Sequence, residues 1–244
     1  IYGEIILQPD CFTLDSSTIH VWKVDLKLTD SDYQQLKEYL DPEEHKRLQR
    51  YTHQQAQQQF LATRGRLKQL LGGYLGIPAG AIQFELGQHG KPRLGGTTID
   101  DGLVFNVSHS GALALIAISK NRALGIDVEK INSRHNLQGM AQRCFSKQEL
   151  SRWNQLTEPR KTNQFYDYWC AKEALLKATG RGLALGMQQC VVDLDRSVFI
   201  NLPESYRTSE WQLQRVEVGG DYRSFVAGNS EFLSIINKQF AHCC

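Results

Sequence analysis

Three apolar stretches crowd between residues 103 and 129, and the links between them are too short to cross a sheet. Leu103–Val107 and Ala112–Ser119 flank the tight turn Ser108-His109-Ser110-Gly111, and Gly125–Glu129 follows a turn at Asn121. A parallel pair needs a crossover of about a dozen residues or more, so these strands are expected to pair antiparallel. Any fold open to this chain has to accommodate such hairpins.

Elsewhere helices alternate with further short strands. Ile19–Leu26 alternates apolar and polar residues as a half-buried strand does. A helix from Asp30 to Leu40 stops before Pro42. Asp41-Pro42-Glu43-Glu44 opens the next, with an Asp cap, Pro at the first helical position and acids in the first turn. Helical sequence rich in Gln, Arg and Leu then runs to Leu71, where Gly72-Gly73 interrupts it. Ala81–Glu85 reads as a strand and Gly87–Gly102 as a loop. Helices are expected at Asn136–Arg143, Ser146–Gln155 and Thr162–Ala178, the second opened by a capping box of Ser146 and Glu149. Val191–Leu194, Trp211–Val218 and Tyr222–Ala227 complete the strands. The fold class is therefore α+β, with small, mostly antiparallel sheets packed against helices. A boundary near Gly125 gives two halves of similar size, 1–124 and 125–244.

An apolar content of 41% supports an ordinary core, and no run reaches the roughly 18 apolar residues of a membrane span. Ile1-Tyr2-Gly3-Glu4 carries an acid where a signal peptide would have a basic patch. Cys11, Cys144, Cys170, Cys190, Cys243 and Cys244 show no zinc-type spacing. Scattered cysteines without a secretion signal point to the cytoplasm, with no membrane association. Cys243 and Cys244 are given no role.

Charge is unevenly placed. Residues 45–84 contain Lys46, Arg47, Arg50, Arg64, Arg66 and Lys68 but no Asp or Glu, so this segment is +6 and the rest of the chain, at a net +2, is −4. Such a stretch suits a polyanionic ligand, either nucleic acid or a multiply phosphorylated small molecule, or else forms a solvated helix face. The segment's aromatics are Tyr51, Phe60, Tyr74 and Phe84, too few among the cations for a nucleic-acid platform. Acids elsewhere would also repel a phosphate backbone unless a metal intervened.

Those acids are the most informative residues. In Gly125-Ile126-Asp127-Val128-Glu129, strand alternation puts Asp127 and Glu129 on one face. Two carboxylates so close resist ionising together unless a cation lies between them, and Mg²⁺ suits oxygen donors. A solvated strand face would carry the same pattern. In the helix Phe165–Ala178, Lys172 shares a stripe with Phe165, Trp169 and Leu176, while Glu173 and Lys177 are spaced as an exposed i,i+4 pair. An ammonium within an apolar arc needs a route to water or an anionic partner. Ser108 beside His109 lacks a Gly-x-Ser-x-Gly elbow, and adjacent residues rarely form a nucleophile–base pair; His109 is better suited to meet a phosphate. Gly90-Lys91-Pro92 combines close backbone approach, a cation and a stiff loop.

Five motifs now stand in order: Gly90-Lys91-Pro92; Phe105-Asn106-Val107-Ser108-His109-Ser110-Gly111; Gly125-Ile126-Asp127-Val128-Glu129; Arg143-Cys144-Phe145-Ser146; and Trp169-x-x-Lys172-Glu173-Ala174-x-x-Lys177. With a looser match at Pro42–Tyr51, the set resembles the Sfp-type 4'-phosphopantetheinyl transferase family over about residues 42–186. The resemblance implies a monomer of two pseudo-symmetric halves, with coenzyme A and Mg²⁺ between them. Residues 1–124 would take the adenine and 3'-phosphate, and 125–244 the metal and catalytic helix.

By the same resemblance, Asp127, Glu129 and Glu173 hold the metal on the diphosphate. Arg47, joined by Arg50 among the coenzyme-binding residues, reaches the 3'-phosphate. Gly90, Lys91 and Pro92 flank the adenine, with His89 and Asn106 also on the coenzyme. Ser108 and His109 contact phosphate, and Lys172 and Lys177 meet the diphosphate from the helix. Glu173 takes part in removing the proton of a carrier-protein serine, Lys177 steadies the departing 3',5'-ADP, and Asp127 counts with them as catalytic. The pattern departs at Glu44, where some relatives carry a second Lys or Arg. Lys46, Arg50 and Arg64 are thereby rivals for the remaining 3'-phosphate contacts. A coenzyme A binder without activity is the other reading, and intact candidates for every catalytic role speak against it.

Overall fold

In the computed structural model, which describes residues 12–87, 90–96, 102–132, 136–229 and 234–240, the hairpin near residue 110 is longer than its apolar residues. The first half contains β1 (Thr18–Asp25), α1 (Asp30–Glu38), α2 (Pro42–Arg50), α3 (Gln54–Leu75), β2 (Phe84–Leu86) and β3 (Pro92–Leu94). The pair β4 (Leu103–Ser110) and β5 (Leu113–Lys120) follows. The second half runs through β6 (Leu124–Lys130), α4 (Leu137–Cys144), α5 (Lys147–Asn154) and α6 (Arg160–Thr179). It ends with β7 (Val191–Asp193), β8 (Val198–Asn201), β9 (Trp211–Arg215), β10 (Tyr222–Asn229) and β11 (Ser234–Gln239). Among the described residues no helix is long and apolar enough to cross a membrane.

Helix starts follow local chemistry closely. Asp41 and Glu44 form a reciprocal capping box at α2 with Pro42 in the first turn, and Ser146 and Glu149 do the same at α5. The helix expected to run unbroken to Leu71 is instead two, because the chain turns extended at Tyr51 and His53 before α3 begins. Gly72-Gly73 does not end α3. It lets the chain fold back tightly, since a Cβ at Gly72 would stand 2.7 Å from the Ile77 carbonyl oxygen. The stop is Gly76, in the left-handed conformation at φ 67°.

Three further differences from expectation bear on the site. Ser108, His109 and Ser110 lie within β4 rather than in a turn, which shifts to Gly111 and Ala112. The segment read as the loop Gly87–Gly102 contains β3, paired with β2. And β11, which carries little alternation, returns to the first half and pairs parallel with β1, giving the order β11-β1-β5-β4. The first sheet is thus completed from beyond residue 124. The second sheet is β6-β10-β9, all antiparallel.

Two hydrophobic clusters form the main cores, the first of them including Phe240 from beyond residue 124. Trp22, Leu67, Leu70 and Ile116 centre the first, while Phe145, Trp153 and Phe165 centre the second. A third cluster joins them, with Ile19, Val21 and Leu115 against Ile126, Val128 and Val226. Where the β4 and β6 edges meet, side chains do the work of a ladder. Asn106 Oδ1 accepts from Ile126 N (2.8 Å), Ser108 Oγ from Val128 N (3.3 Å) and Ser110 Oγ from Lys130 N (3.1 Å). Every second N–H of the β6 edge is thereby satisfied across the junction.

On its other side β6 touches α6 backbone to backbone. A Cβ at Gly125 would overlap the Ala174 carbonyl oxygen and the Ala178 amide, neither of which can rotate away. Gly125→Ala should therefore lift α6 from β6 and lower stability by about 2–3 kcal/mol or more, read as a fall in the urea midpoint. A midpoint equal to the wild type would show that the helix can shift without loss.

Candidate active site

Asp127 sits on β6 with only 3% of its surface exposed, and so has to be neutralised by its neighbours. Its Oδ1 accepts from Lys177 Nζ at 2.7 Å and from Ser108 Oγ at 2.9 Å. Lys177 also donates to Ser108 Oγ (2.8 Å) and to the Ile126 carbonyl (3.2 Å), so its three protons all have acceptors. The other oxygen, Asp127 Oδ2, is buried and has no hydrogen-bond partner among the described residues. A buried carboxylate oxygen without a hydrogen bond is under-satisfied, although the Cys170 thiol lies beside the same carboxylate.

Glu129, two residues along and on the same face, accepts from Ser110 Oγ at 2.8 Å. Glu173, one helical turn before Lys177 on α6, is half-buried and makes no hydrogen bond or ion pair with the described residues, so the simple i,i+4 pair with Lys177 is not formed. Burial first, then Asp127 and Glu129, push the Glu173 carboxyl above its ordinary value, against the pull of Lys177. Desolvation and the Lys177 ammonium hold His109 below the usual histidine value. Among the described residues no three His, Cys, Asp or Glu side chains converge as a ready-made metal cage. Mg²⁺ rarely uses one: it takes one or two carboxylates and completes its shell with phosphate and water oxygens. The unpartnered, buried Asp127 Oδ2 fits that role.

Two clefts lie on either side of Pro92. One, of about 310 Å³, is lined by Gly87, Lys91, Phe105, Thr179 and Gly180. The other, of about 240 Å³, is lined by Arg47, Tyr51, Phe60, Arg64 and His109. The Arg47 guanidinium lies 4.9 Å from the Phe60 ring centre. Gly90 is needed in its turn for its φ of 77°. His89 lies outside the described residues.

Several expected residues serve other ends. Lys172 is wholly buried away from this site, where Nζ donates to Glu149 Oε2 (2.8 Å), Met187 O (2.9 Å) and Cys190 O (2.6 Å). It is a core ion pair and does not meet a diphosphate, because its face of α6 turns into the second half. Asn106 is likewise buried in the junction. Lys91 Nζ donates to the Leu124 and Lys177 carbonyls at 2.7 and 2.8 Å, and burial pushes it down to about 8. It bridges the halves through internal bonds.

The basic segment is largely neutralised by acids just before it. Lys46 pairs with Glu43 (2.6 Å), Lys68 and Arg64 with Glu44 (2.7 and 3.3 Å), and Arg66 with Asp32. That explains the acid at position 44: it caps α2 and neutralises two cations of α3. Arg47 and Arg50 keep no acidic partner among the described residues; Arg47 lines the second cleft, and Arg50 is exposed outside it. Arg64 lines the same cleft as Arg47, so of the three rivals it is the one the fold brings beside it. Ser110 carries no signal of its own beyond a Ser-x-Ser spacing that matches Asp-x-Glu.

Two models of known families divide the chain between them. One, for the N-terminal region of 4'-phosphopantetheinyl transferases, matches residues 26–121, and one for the 4'-phosphopantetheinyl transferase superfamily matches residues 123–227. The 4'-phosphopantetheinyl transferase HetI of Nostoc sp. is 38% identical over 177 residues, covering 72% of this chain and 75% of its own. A putative 4'-phosphopantetheinyl transferase of Synechocystis sp. is 36% identical over 177 residues, 71% of this chain and 70% of its own. The 4'-phosphopantetheinyl transferase Sfp of Bacillus subtilis is 27% identical over 205 residues, 83% of this chain and 88% of its own. The chain belongs to the 4'-phosphopantetheinyl transferase superfamily, and it is an enzyme of that class.

The reassignment of Lys172 has a direct test. Lys172→Ala would leave Glu149 buried with its main counter-charge gone, which typically costs about 3–5 kcal/mol. Denaturant unfolding should register that loss while the Michaelis constant for coenzyme A of the folded protein stays unchanged.

Proposed function

We propose that the chain transfers the 4'-phosphopantetheine group of coenzyme A to a serine of an apo carrier protein and releases 3',5'-ADP, with Mg²⁺ as cofactor. The carrier is of the acyl, polyketide or peptidyl type. The observation that carries this reading is the buried, unpartnered Asp127 Oδ2, flanked by Glu129 and by a Glu173 of raised pKa. Asp127, Glu129 and Glu173 would hold the ion, which when bound neutralises charge on the diphosphate oxygens.

The remaining work falls to the chain's own groups. Arg47 and His109 orient the coenzyme from the second cleft, with Arg64 beside Arg47 and Pro92 between the two clefts. The serine oxygen attacks phosphorus and the bond to the 3',5'-ADP oxygen breaks, so the serine proton has to leave. Glu173, or a water that it orients, takes it. Lys177 holds Asp127 in place and supplies positive charge beside the diphosphate. The enzyme acts as a monomer in the cytoplasm. Cys144, Cys170 and Cys190, all free thiols, suit a reducing compartment.

Mass spectrometry of apo carriers of the three types, incubated with coenzyme A and Mg²⁺, tests the reading: gain of one phosphopantetheine is expected, and none in excess chelator. Arg47→Ala should raise the Michaelis constant for coenzyme A by the equivalent of about 1.5–3 kcal/mol and scarcely alter that for 3'-dephospho-coenzyme A. Equal effects on both would move the 3'-phosphate elsewhere. Glu173→Gln should cut turnover by about a hundredfold or more while calorimetry still detects coenzyme A binding. Near-normal turnover would leave Glu173 without a part in proton transfer.

A further inference from the structure

We propose that Ser110 is a positioning residue that sets Glu129 for divalent-metal binding from the opposite half of the molecule. The proposal rests on the reading of Asp127, Glu129 and Glu173 as the metal-holding carboxylates.

The hydroxyl of Ser110 has one proton to give. Lys130 N donates to Ser110 Oγ at 3.1 Å, so the hydroxyl receives there and directs its own proton to Glu129 Oε2 at 2.8 Å. The arrangement repeats one step earlier. Ser108 Oγ accepts from Val128 N at 3.3 Å and donates to Asp127 Oδ1 at 2.9 Å. Residues two apart on a strand share a face, so Ser-x-Ser on β4 meets Asp-x-Glu on β6 in matched register.

The two carboxylates differ in how firmly they are held. Asp127 is buried, short and also gripped by the Lys177 ammonium. Glu129 is longer, with more rotamer freedom to lose, and only half-buried. Fixing one oxygen of Glu129 fixes the plane of its carboxylate, and with it the direction of the other oxygen. Carboxylates that bind metals are commonly held in this way by outer hydrogen bonds, and losing such a partner typically weakens metal affinity by about 10- to 100-fold. Because Ser110 stands on β4 and Glu129 on β6, the bond also ties metal affinity to the seating of one half on the other.

The test is a Mn²⁺ titration followed by the electron paramagnetic resonance of the free ion, with coenzyme A present, on the wild type, Ser110→Ala and Ser110→Thr. Ser110→Ala is expected to weaken Mn²⁺ binding about 10- to 100-fold. Its melting temperature should fall by only about a few degrees, because the exposed Lys130 N–H can turn to water, and its coenzyme A binding in chelator should not change. Ser110→Thr, which keeps the hydroxyl, should bind Mn²⁺ like the wild type. Equal affinity in Ser110→Ala would overturn the proposal alone, as would a loss of fold in that variant, since Ser110 would then be a structural tie. A wild type that binds no Mn²⁺ beside coenzyme A would remove the underlying metal reading as well.

Discussion

An ionised carboxylate with almost no exposed surface has to find its counter-charge inside the protein, and around Asp127 that requirement organises three separate elements. The ammonium comes from α6, the hydroxyl from β4 and the carboxylate itself from β6. None can move without leaving a charge uncompensated, and in a low-dielectric setting such a loss is severe. Only one oxygen is used in this way. The carboxylate is therefore held firmly through Oδ1, while Oδ2 is buried without a hydrogen bond among the described residues.

The same economy of contacts joins the halves. Asn106, Ser108 and Ser110 replace a strand with side chains at the β6 edge, so the two sheets meet without merging. Lys91 adds a second tie, gripping the start of β6 and the end of α6 through their carbonyls. Glu44 acts similarly on the first half, capping one helix while neutralising Arg64 and Lys68 on the next.

Local rules made much of this legible in the sequence. Asp41 with Glu44 and Ser146 with Glu149 announced helix starts, and the alternation at 125–129 announced a strand with two carboxylates on one face. What stayed hidden depends on distance along the chain. The face on which Lys172 would find its anion could not be read from its own helix, because Glu149 lies 23 residues away. The break at Tyr51–His53 has neither Pro nor Gly to mark it. β11 is mostly exposed and lacks alternation, and only its pairing with β1, over two hundred residues away, makes it a strand. Within the candidate site, the acids were visible by type and spacing, whereas the division of cations into those facing the cleft and those held by Asp32, Glu43 and Glu44 required the fold.

That last strand has a bearing on how the protein is made. During synthesis the first 124 residues emerge with β1, β4 and β5, yet the outer edge of β1 has no partner until Ser234–Gln239 leave the ribosome. An open strand edge is a template for pairing with other chains. The nascent protein therefore carries an adhesive margin until β11 has been made, and that strand is what seals it.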